Sequence, residues 1–408
     1  MSSCATLFAF TSFSNPVWCA ILFAAATVGH CALMVASHNW WYGQPFPRKA
    51  GDVIHFLHLL LVCLGPVLFW LWAGWDLTAL FVWNSDTPWW QFALAAYVAL
   101  CWLTAFVLFP ANTLARLLRP RPRALAETKS EIFDVAKYLG DRPVGITKKR
   151  RLALLPYNEI FQVEFAEHTL CLPRVPPAWD GLTILQLTDI HLCGSPDKPF
   201  FRAVMDHCNH PEPDILAVTG DWADTLHHTR WIVPLLGRLR WKLAAFAILG
   251  NHDFWHEPAY IRRRLSRLRM SVLPNTWNQI DVRGHPLVVI GNEYPWNRPQ
   301  VDLTDCPPEP FRLCLSHTPD NIAWARRAKI DLMLSGHVHG GQIRFPVFGS
   351  MLVPSKYGRR YDCGAFDEKP PFLYVSRGLS GEHPIRYLCK PEVTRFVLRS
   401  GDGQNRDR

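Results

Sequence analysis

Residues 183–191 read TILQLTDIH, and residues 215–224 read ILAVTGDWAD. In both stretches an apolar run stops at a polar cluster, DIH at 189–191 in the first and GDWAD at 220–224 in the second. Short apolar runs that end at Gly or polar residues are typical of buried strands. The two stretches therefore predict two buried strands, each followed directly by side chains that can carry out chemistry.

Three further apolar runs end in the same way. They are residues 243–249 before Gly250-Asn251-His252-Asp253, residues 313–315 before Ser316-His317, and residues 330–334 before Gly336-His337-Val338-His339. Helix-like stretches lie between some of the runs, at residues 200–209, 258–269 and 319–328. This alternation of strands and helices predicts an α/β fold. Because such sheets gather their ligands at the carboxyl ends of the strands, we expect the five clusters to converge.

The metal-binding side chains in these clusters offer only oxygen or imidazole donors. That mixture suits divalent cations such as manganese, iron or zinc. Two such ions about 3.5–4 Å apart can hold both the attacking and the leaving oxygen of a phosphoryl displacement. Each cluster taken alone is common in proteins that bind no metal. The five together, in this order and at strand ends, predict a hydrolase of phosphate esters or anhydrides.

The order of the clusters resembles that of the calcineurin-like metallophosphoesterases, whose pattern is D-x-H, G-D-x-x-D, G-N-H-D/E, H and G-H-x-H. All five elements are intact, and the resemblance covers about residues 157–399. The motifs GHVHGGQ at 336–342, YVSRGL at 374–379, PIR at 384–386 and PE at 391–392 resemble one membrane-associated or exported branch. The resemblance implies a metallophosphoesterase-type β-sandwich flanked by helices (αββα).

The resemblance also implies a site with two divalent metal ions, which we expect to be manganese, iron or zinc. The implied ligands are Asp189, His191 and His339 for one ion and Asn251, His317 and His337 for the other, with Asp221 bridging both. The amide oxygen of Asn251 is neutral, so it keeps the anionic charge of the site low and leaves the metals Lewis acidic.

Two further residues have implied catalytic roles. His252 lies one residue from an implied ligand, so we expect it to protonate the leaving oxygen. Asp224 is expected to orient His252, and its alternative is an Asx turn or helix cap after Asp221. We expect Arg377 and Gln342 to contact substrate, although a structural salt bridge explains Arg377 equally well.

The first 112 residues are apolar and aromatic, and three segments near the ~20 residues of a spanning helix predict a multi-pass membrane protein. The segments are residues 17–36, 53–75 and 89–109. Arg48 and Lys49 lie in the first connection, and Arg116, Arg119, Arg121 and Arg123 follow the third segment. The positive-inside rule then places the N-terminus outside and the catalytic domain in the cytoplasm. Two or four spans remain possible, and exported members of the branch favour the opposite side.

The composition changes along the chain and predicts its organisation. We expect a transmembrane region at 1–112, a basic irregular linker at 113–155, a catalytic domain at 156–400 and a disordered tail at 401–408. His55 and His58 share one helix face of the second segment, where they are either satisfied locally or functional. The scattered cysteines form no C-x-x-C pair and are expected to be reduced thiols.

A net charge of +9 favours an anionic neighbour, such as a membrane surface or a phosphorylated substrate. No Lys/Arg stripe interleaved with aromatics suggests nucleic-acid binding. The leading hypothesis is a membrane-anchored phosphoesterase whose substrate is met at the membrane, including a lipid-linked pyrophosphate, diester or monoester. The alternative is a membrane sensor or scaffold that retains a structural metal site. The sequence leaves the substrate, the native metal and the oligomeric state open.

Overall fold

The computed structural model describes residues 15–401, which divide into two compact units. The first unit contains the apolar helices and ends at Arg119. The second unit contains the β-sheets and begins at Pro120, with Gly43–Pro45 also assigned to it. The predicted tail at 401–408 lies outside the described residues except for Gly401.

Three helices of the first unit are long and apolar enough to cross a membrane, as the sequence predicted. They are α1 (Pro16–Tyr42), α2 (Arg48–Ala73) and a third that runs from α3 (Trp89–Leu103) through a π-helical turn (Thr104–Leu108) into α4 (Phe109–Leu117). Ala26, Phe69 and Val98 belong to a small apolar core between them. Most of the other large apolar side chains of this unit are exposed, as expected for helices that face lipid.

The histidines of α2 face α1. His58 donates through Nδ1 to the Ile54 carbonyl at 2.8 Å, and its Nε2 lies 3.1 Å from Ser37 Oγ. Nδ1 of His55 lies 3.0 Å from Nε2 of His38. Local contacts therefore satisfy His58, which agrees with the structural alternative for this pair.

The second unit is a sandwich of a seven-stranded and a six-stranded sheet, with one separate two-stranded hairpin. Its strands are β1 (Leu125–Asp134), β2 (Gln162–Leu172), β3 (Thr183–Leu187), β4 (Ile215–Thr219), β5 (Ala244–Ile248), β6 (Ser271–Val272), β7 (Trp277–Val282), β8 (His285–Asn292), β9 (Phe311–Ser316), β10 (Leu332–Ser335), β11 (Arg344–Phe345), β12 (Gly349–Ser350), β13 (Gly364–Asp367), β14 (Phe372–Val375) and β15 (Glu392–Ser400). The large sheet has the order β1-β2-β15-β3-β4-β5-β6, and the smaller has the order β13-β14-β10-β9-β8-β7.

Helices cover the outer faces of both sheets. They are α5 (Val135–Leu139), α6 (Arg150–Ala153), α7 (Lys198–His207), α8 (Ile232–Leu236), α9 (Asn251–Phe254), α10 (Pro258–Ser266) and α11 (Ile322–Arg327). Along β4, Ile215 and Ala217 pack in the core between the sheets, whereas Leu216 and Val218 pack against helix residues such as Val204. Successive side chains of a strand point to opposite faces of the sheet, and both faces of β4 are covered, so this strand is apolar at consecutive positions. The predicted αββα sandwich, preceded by apolar helices, is confirmed.

The prediction of an irregular linker at 113–155 was wrong for residues 125–134. These residues form β1, which pairs antiparallel with β2 at the edge of the large sheet. Most side chains of β1 are exposed: Glu127, Lys129 and Glu131 occupy one face and the polar Thr128 and Ser130 the other, so no apolar alternation is visible. The rest of the predicted boundaries stay predictions.

The inner strands of each sheet run parallel, and this positions the site. β3, β4 and β5 are parallel neighbours in the large sheet, and β8, β9, β10 and β14 are parallel neighbours in the smaller one. All five polar clusters therefore leave the carboxyl ends of parallel strands, where open sheets bind their ligands.

Candidate metal centre

The structure brings the implied metal ligands together in three overlapping groups, with the ligand atoms of each group within 4.8 Å of one another. The groups are Asp189, His191, Asp221 and His339; His191, Asp224 and His252; and Asp221, His317 and His337. Nearly all of these side chains are buried. Residues that are far apart in the sequence thus meet at one edge of the sandwich.

Five of the implied metal ligands have a left-handed backbone. The φ angles are 51° at Asp189, 44° at His191, 57° at Asp221, 71° at His337 and 51° at His339. Such conformations cost on the order of 1–3 kcal/mol each for residues with a side chain, and they persist only where the surroundings enforce them. Their concentration at the strand ends indicates a functional site rather than ordinary turns.

Two glycines leave room for the carboxylates of the site. A Cβ at Gly336 would lie 2.2 Å from Oδ2 of Asp189, and a Cβ at Gly250 would lie 2.2 Å from Oδ1 of Asp221. Both contacts are far shorter than van der Waals distance. Glycine is therefore required at both positions for the carboxylates to hold their places.

We call Asp189, His191 and His339 the acidic half of the centre. Nε2 of His191 lies 3.2 Å from Nε2 of His339 and 3.5 Å from Oδ2 of Asp221. The Asp189 carboxylate accepts the backbone N–H of His337 at 3.0 Å and the hydroxyl of Thr188 at 2.8 Å. These contacts fix the carboxylate while its Oδ1 stays 3.5 Å from Nε2 of His339.

We call Asn251, His317 and His337 the neutral half, because its donors are an amide and two imidazoles. Nε2 of His317 lies 3.0 Å from Oδ1 of Asn251 and 3.2 Å from Oδ2 of Asp221. Asp221 thus faces both halves with the same oxygen, in the position expected of a bridging ligand.

Asp224 contacts two imidazoles at once. Its Oδ1 lies 2.7 Å from Nδ1 of His191 and 2.8 Å from Nδ1 of His252. His252 is half-buried, and its backbone N–H donates to Oδ1 of Asp221 at 2.9 Å. The sequence associated Asp224 with His252 alone, and the structure shows that it also orients an implied metal ligand.

The buried carboxylates favour positive charge on His191 and His317, whereas burial and the neighbouring His317 lower the pKa of His337 to about 3. Burial alone would raise the pKa of Asp224, but the neighbouring His191 and His252 outweigh it and hold that pKa well below its usual range. Burial would lower the pKa of His191, but Asp224, Asp221 and Asp189 together raise it to about 10. Burial likewise opposes a charge on His317, yet Asp221 raises its pKa to about 9. A cation that lies between the Asp189, Asp221 and Asp224 carboxylates is therefore stabilised electrostatically.

The donor set fits divalent cations. Nδ1 of His317 donates to the Thr219 carbonyl at 2.7 Å, so Nε2, which lies 3.2 Å from Oδ2 of Asp221, is the ring nitrogen left to bind a cation. Within residues 15–401, Oδ2 of Asp221 and Nε2 of His337 are buried and form no hydrogen bond. Lone pairs that face one another in a buried site repel unless a cation lies among them. Oxygen and imidazole donors suit manganese, iron or zinc.

Asp253 ties the two strand-end loops together, a role that the sequence did not reveal. Its carboxylate accepts the backbone N–H groups of Gly250 at 2.8 Å, Asp221 at 3.0 Å and Trp222 at 3.0 Å. The loop after β4 is thereby fixed to the loop after β5. Its place beside Asn251 and His252 was the only sequence signal.

Arg386 supports the acidic half from behind and was missed as a site residue. It is fully buried and donates to the backbone carbonyls of His339, Arg377 and Ser380. The PIR motif at 384–386 marked this arginine without indicating a role. Its guanidinium satisfies carbonyls that a buried loop otherwise leaves unpaired.

Glu293 and Arg262 support the neutral half in a similar way. Glu293 is fully buried, accepts the backbone N–H of Leu249 at 2.8 Å and forms a bidentate ion pair with Arg262. Trp296 packs its ring 5.5 Å from that of His317 and 5.0 Å from that of His337. Arg262 lies on the arginine-rich helix α10, and its partner Glu293 is buried inside the unit.

The two predicted substrate contacts have structural partners. Nε of Arg377 lies 3.0 Å from Glu392, and its NH2 group lies 2.8 Å from Glu164, so the salt-bridge alternative fits its contacts. The backbone N–H of Gln342 donates to the His339 carbonyl at 3.1 Å, and its carbonyl accepts Tyr387 N–H at 3.0 Å. Substrate roles for Arg377 and Gln342 stay predictions.

Comparison with known proteins agrees with this geometry. The sequence profile of the calcineurin-like phosphoesterases matches residues 182–341. The metallophosphoesterase YkuE of Bacillus subtilis is 30% identical over 253 residues, which cover 60% of this chain and 88% of YkuE. The phosphodiesterase YaeI of Escherichia coli is 30% identical over 200 residues, covering 46% of this chain and 71% of YaeI.

A third relative is UDP-2,3-diacylglucosamine pyrophosphatase LpxG of Chlamydia muridarum, 25% identical over 283 residues, which cover 54% of this chain and 85% of LpxG. The helix-flanked sandwich and its cluster of donors define the class as a metal-dependent phosphoesterase. Within that class, this chain belongs to the calcineurin-like phosphoesterase family.

Proposed function

We propose that this chain is a membrane-anchored phosphoesterase that uses two divalent metal ions to hydrolyse a phosphate ester or pyrophosphate bond. One observation carries the proposal. Asp221 faces both halves of a buried donor cluster, and His252, next to this cluster, contacts the Asp224 carboxylate. A purely structural metal site has no use for a half-buried imidazole held by a carboxylate. The geometry therefore favours an enzyme over the sensor or scaffold alternative.

We assign one ion to the acidic half, the second to the neutral half and the bridging position to Asp221. When bound, the ions lower the pKa of water and offset negative charge on the phosphoryl oxygens. The protein contributes rigidity, because Asp224 orients His191 and the Thr219 carbonyl orients His317 before any metal binds. Manganese, iron and zinc all suit these donors.

We assign proton donation to the leaving oxygen to His252. Its Nδ1 lies 2.8 Å from Oδ1 of Asp224, so Nε2, on the far side of the ring, is directed away from the carboxylate. The carboxylate offers a fixed negative charge to the protonated imidazole, and partial exposure lets the ring meet a substrate. General acid catalysis of this kind contributes about 10²–10⁴-fold to a rate.

We place the substrate at a membrane surface. The three apolar helices support anchoring, which restricts the encounters of the catalytic unit. The names of YaeI, a phosphodiesterase, and LpxG, a pyrophosphatase, support a diester or a pyrophosphate of a lipid-linked compound as the bond cleaved. The basic residues Arg48 and Lys49 support a cytoplasmic catalytic unit, and reporter fusions at the C-terminus test that placement.

The test uses the full-length protein, stripped with chelator and reloaded with manganese. Hydrolysis of a phosphomonoester, a phosphodiester and a lipid pyrophosphate is measured for the wild type and for His252→Ala. We expect the variant to keep its metal content but to lose about 10²–10⁴-fold in turnover. Equal turnover would remove His252 from the mechanism. Metal binding without turnover of any of the three substrates would favour the sensor alternative.

A further inference from the structure

Three segments of the second unit expose apolar side chains and are connected, along the chain or through Tyr387, to residues of the metal centre. The most prominent is the hairpin of β11 and β12, which follows His339 closely in the chain. In this hairpin Phe345 is 50% exposed and Val347 is 66% exposed. Apolar side chains exposed together mark interaction sites for proteins or membranes more often than isolated ones do.

The tip of the hairpin combines a strained backbone with an exposed apolar side chain. Val347 has a φ of 67°, a left-handed conformation that is a genuine outlier for a β-branched residue. A glycine or asparagine would adopt this backbone at lower cost. Because neither stands at this position, the exposed valine is itself the feature that requires an explanation.

Tyr387 links the hairpin to two other exposed apolar segments. It pairs with Ile343 at the base of the hairpin, and its hydroxyl donates to the Pro156 carbonyl at 2.8 Å. The next residue, Leu388, is 61% exposed. Leu154, Leu155 and Tyr157, on either side of Pro156, are also exposed. Tyr387 therefore connects the three segments, through a strand bridge to the hairpin and a hydrogen bond to the segment around Pro156.

The edge of this surface is basic. Lys148, Arg150 and Arg151 are exposed at and just before α6, and no Asp or Glu occurs between residues 142 and 158. Exposed apolar side chains bordered by Lys and Arg are the pattern of surfaces that rest in the interfacial region of a membrane. The basic residues are attracted to anionic headgroups, whereas the apolar ones enter the region beneath them.

We propose that this surface docks onto a lipid bilayer that contains anionic lipids. We call it the apolar rim and define it by Leu154, Leu155, Tyr157, Ile343, Phe345, Val347 and Leu388. The chain carries three helices long and apolar enough to cross a membrane, so a bilayer is the apolar partner always within reach. The positive charge beside the rim complements anionic lipid.

Docking of the rim brings the metal centre to the level of the headgroups. Gln342, which directly follows the GHVHGG segment of His337 and His339, precedes Ile343 of the rim. Arg386, which donates to the His339 carbonyl, directly precedes Tyr387. The rim and the acidic half are thus built on the same two loops, and a phosphate of a membrane lipid is the substrate class that such an arrangement favours.

The test is photo-crosslinking of the full-length protein in nanodiscs of phosphatidylcholine and phosphatidylglycerol. The variant Val347→p-benzoylphenylalanine places the probe at the tip of the hairpin. The control is Leu243→p-benzoylphenylalanine. Leu243 directly precedes the amino end of β5, whereas the metal centre lies at the carboxyl ends of the strands, and it is 49% exposed. We expect lipid adducts by intact-mass spectrometry at position 347 and only background at position 243. Bound metal per chain verifies that both variants are folded.

Absence of lipid adducts at position 347, or crosslinks from that position to protein alone, would overturn the proposal. In nanodiscs of phosphatidylcholine alone, and in Arg150→Ser/Arg151→Ser, we expect the adduct yield at 347 to fall. An unchanged yield in both would refute the requirement for anionic lipid. The readout needs no turnover, so a docked but inactive protein would contradict the proposed hydrolysis and leave the docking proposal standing.

Discussion

The two halves of the metal centre share Asp221 but differ in charge. The acidic half contains the Asp189 carboxylate, and a further carboxylate, Asp224, holds its His191. The neutral half contains the amide of Asn251, and a backbone carbonyl holds its His317. More anionic ligands bind a cation more tightly, whereas a neutral ligand leaves the cation a stronger Lewis acid. The comparison predicts a firmly held ion in the acidic half and a more exchangeable one in the neutral half.

The supports behind the two halves are more alike than the ligands. A buried carboxylate and an arginine hold a loop in each case: Glu392 with Arg377 behind the acidic half, and Glu293 with Arg262 behind the neutral half. Both glutamates also accept a backbone N–H, from Arg377 and Leu249 respectively. The difference between the halves therefore lies in the ligands and their orienting groups.

The largest effect is expected from Asp221→Asn, which removes the one carboxylate that both halves share. Losing a bridging charge costs several kcal/mol, so we expect turnover to fall by about 10³-fold or more and metal content to fall below two ions per chain. Elemental analysis and turnover measure the two effects. The control is Asp305→Asn, an exposed aspartate that belongs to none of the five clusters. Two tightly held ions in the Asp221 variant would rule out the bridging role.

A smaller effect is expected from Asp224→Asn, which removes a carboxylate that contacts His191 of the acidic half and also His252. Loss of an orienting carboxylate typically costs 10–100-fold in metal affinity or activity, and here His252 also loses its partner. We expect turnover to fall by about 10²-fold and one ion to become easier to chelate. Titration with a competing chelator should then show two weakly binding sites, where the wild type is expected to show one strong and one weak site. If a single strong site remains, Asp224 does not support the acidic half.

The ion pair behind the acidic half predicts a dependence of stability on pH. Burial opposes ionisation of Glu392, but Arg377 outweighs it and lowers its pKa to about 2. The ordinary pKa of a Glu is about 4.3, so the stabilisation, about 3 kcal/mol at 1.36 kcal/mol per pKa unit, is present above that pH and lost as the pH falls towards 2. We expect Glu392→Gln to lower the midpoint of thermal unfolding at pH 6.

The same variant should approach the wild type as the pH is lowered. Between about pH 4 and pH 2 the wild-type Glu392 becomes protonated, so its advantage over glutamine disappears. Thermal unfolding of both proteins in the same detergent, at pH 6 and at pH 3, measures the convergence. A difference that stays constant across this range would show that the charge of Glu392 does not stabilise the folded unit.

The sequence predicted the side chains that meet at the candidate metal centre better than it predicted their supports. Asp189 and His317 could be predicted because each follows an apolar run closely, so a few neighbouring residues contain the whole signal. Arg386 and Glu293 act through partners that are distant in the chain, so only the folded structure shows them. The edge strand β1 was missed for a related reason: most of its side chains are exposed, and so its sequence lacks an apolar period.

The smallest effect is expected from Asn251→Asp, and it tests the comparison most directly. The substitution gives the neutral half a carboxylate of nearly the same size, at a position 3.0 Å from His317. Charge count sets the affinity of such sites, so we expect the second ion to bind about tenfold more tightly. Stronger donation should make that ion a weaker Lewis acid, so turnover at saturating metal should fall by about tenfold. Chelator titration and turnover measure the two changes. If both sites keep unequal affinities in the variant, the inequality comes from the orienting groups, Asp224 and the Thr219 carbonyl, rather than from the ligand charge.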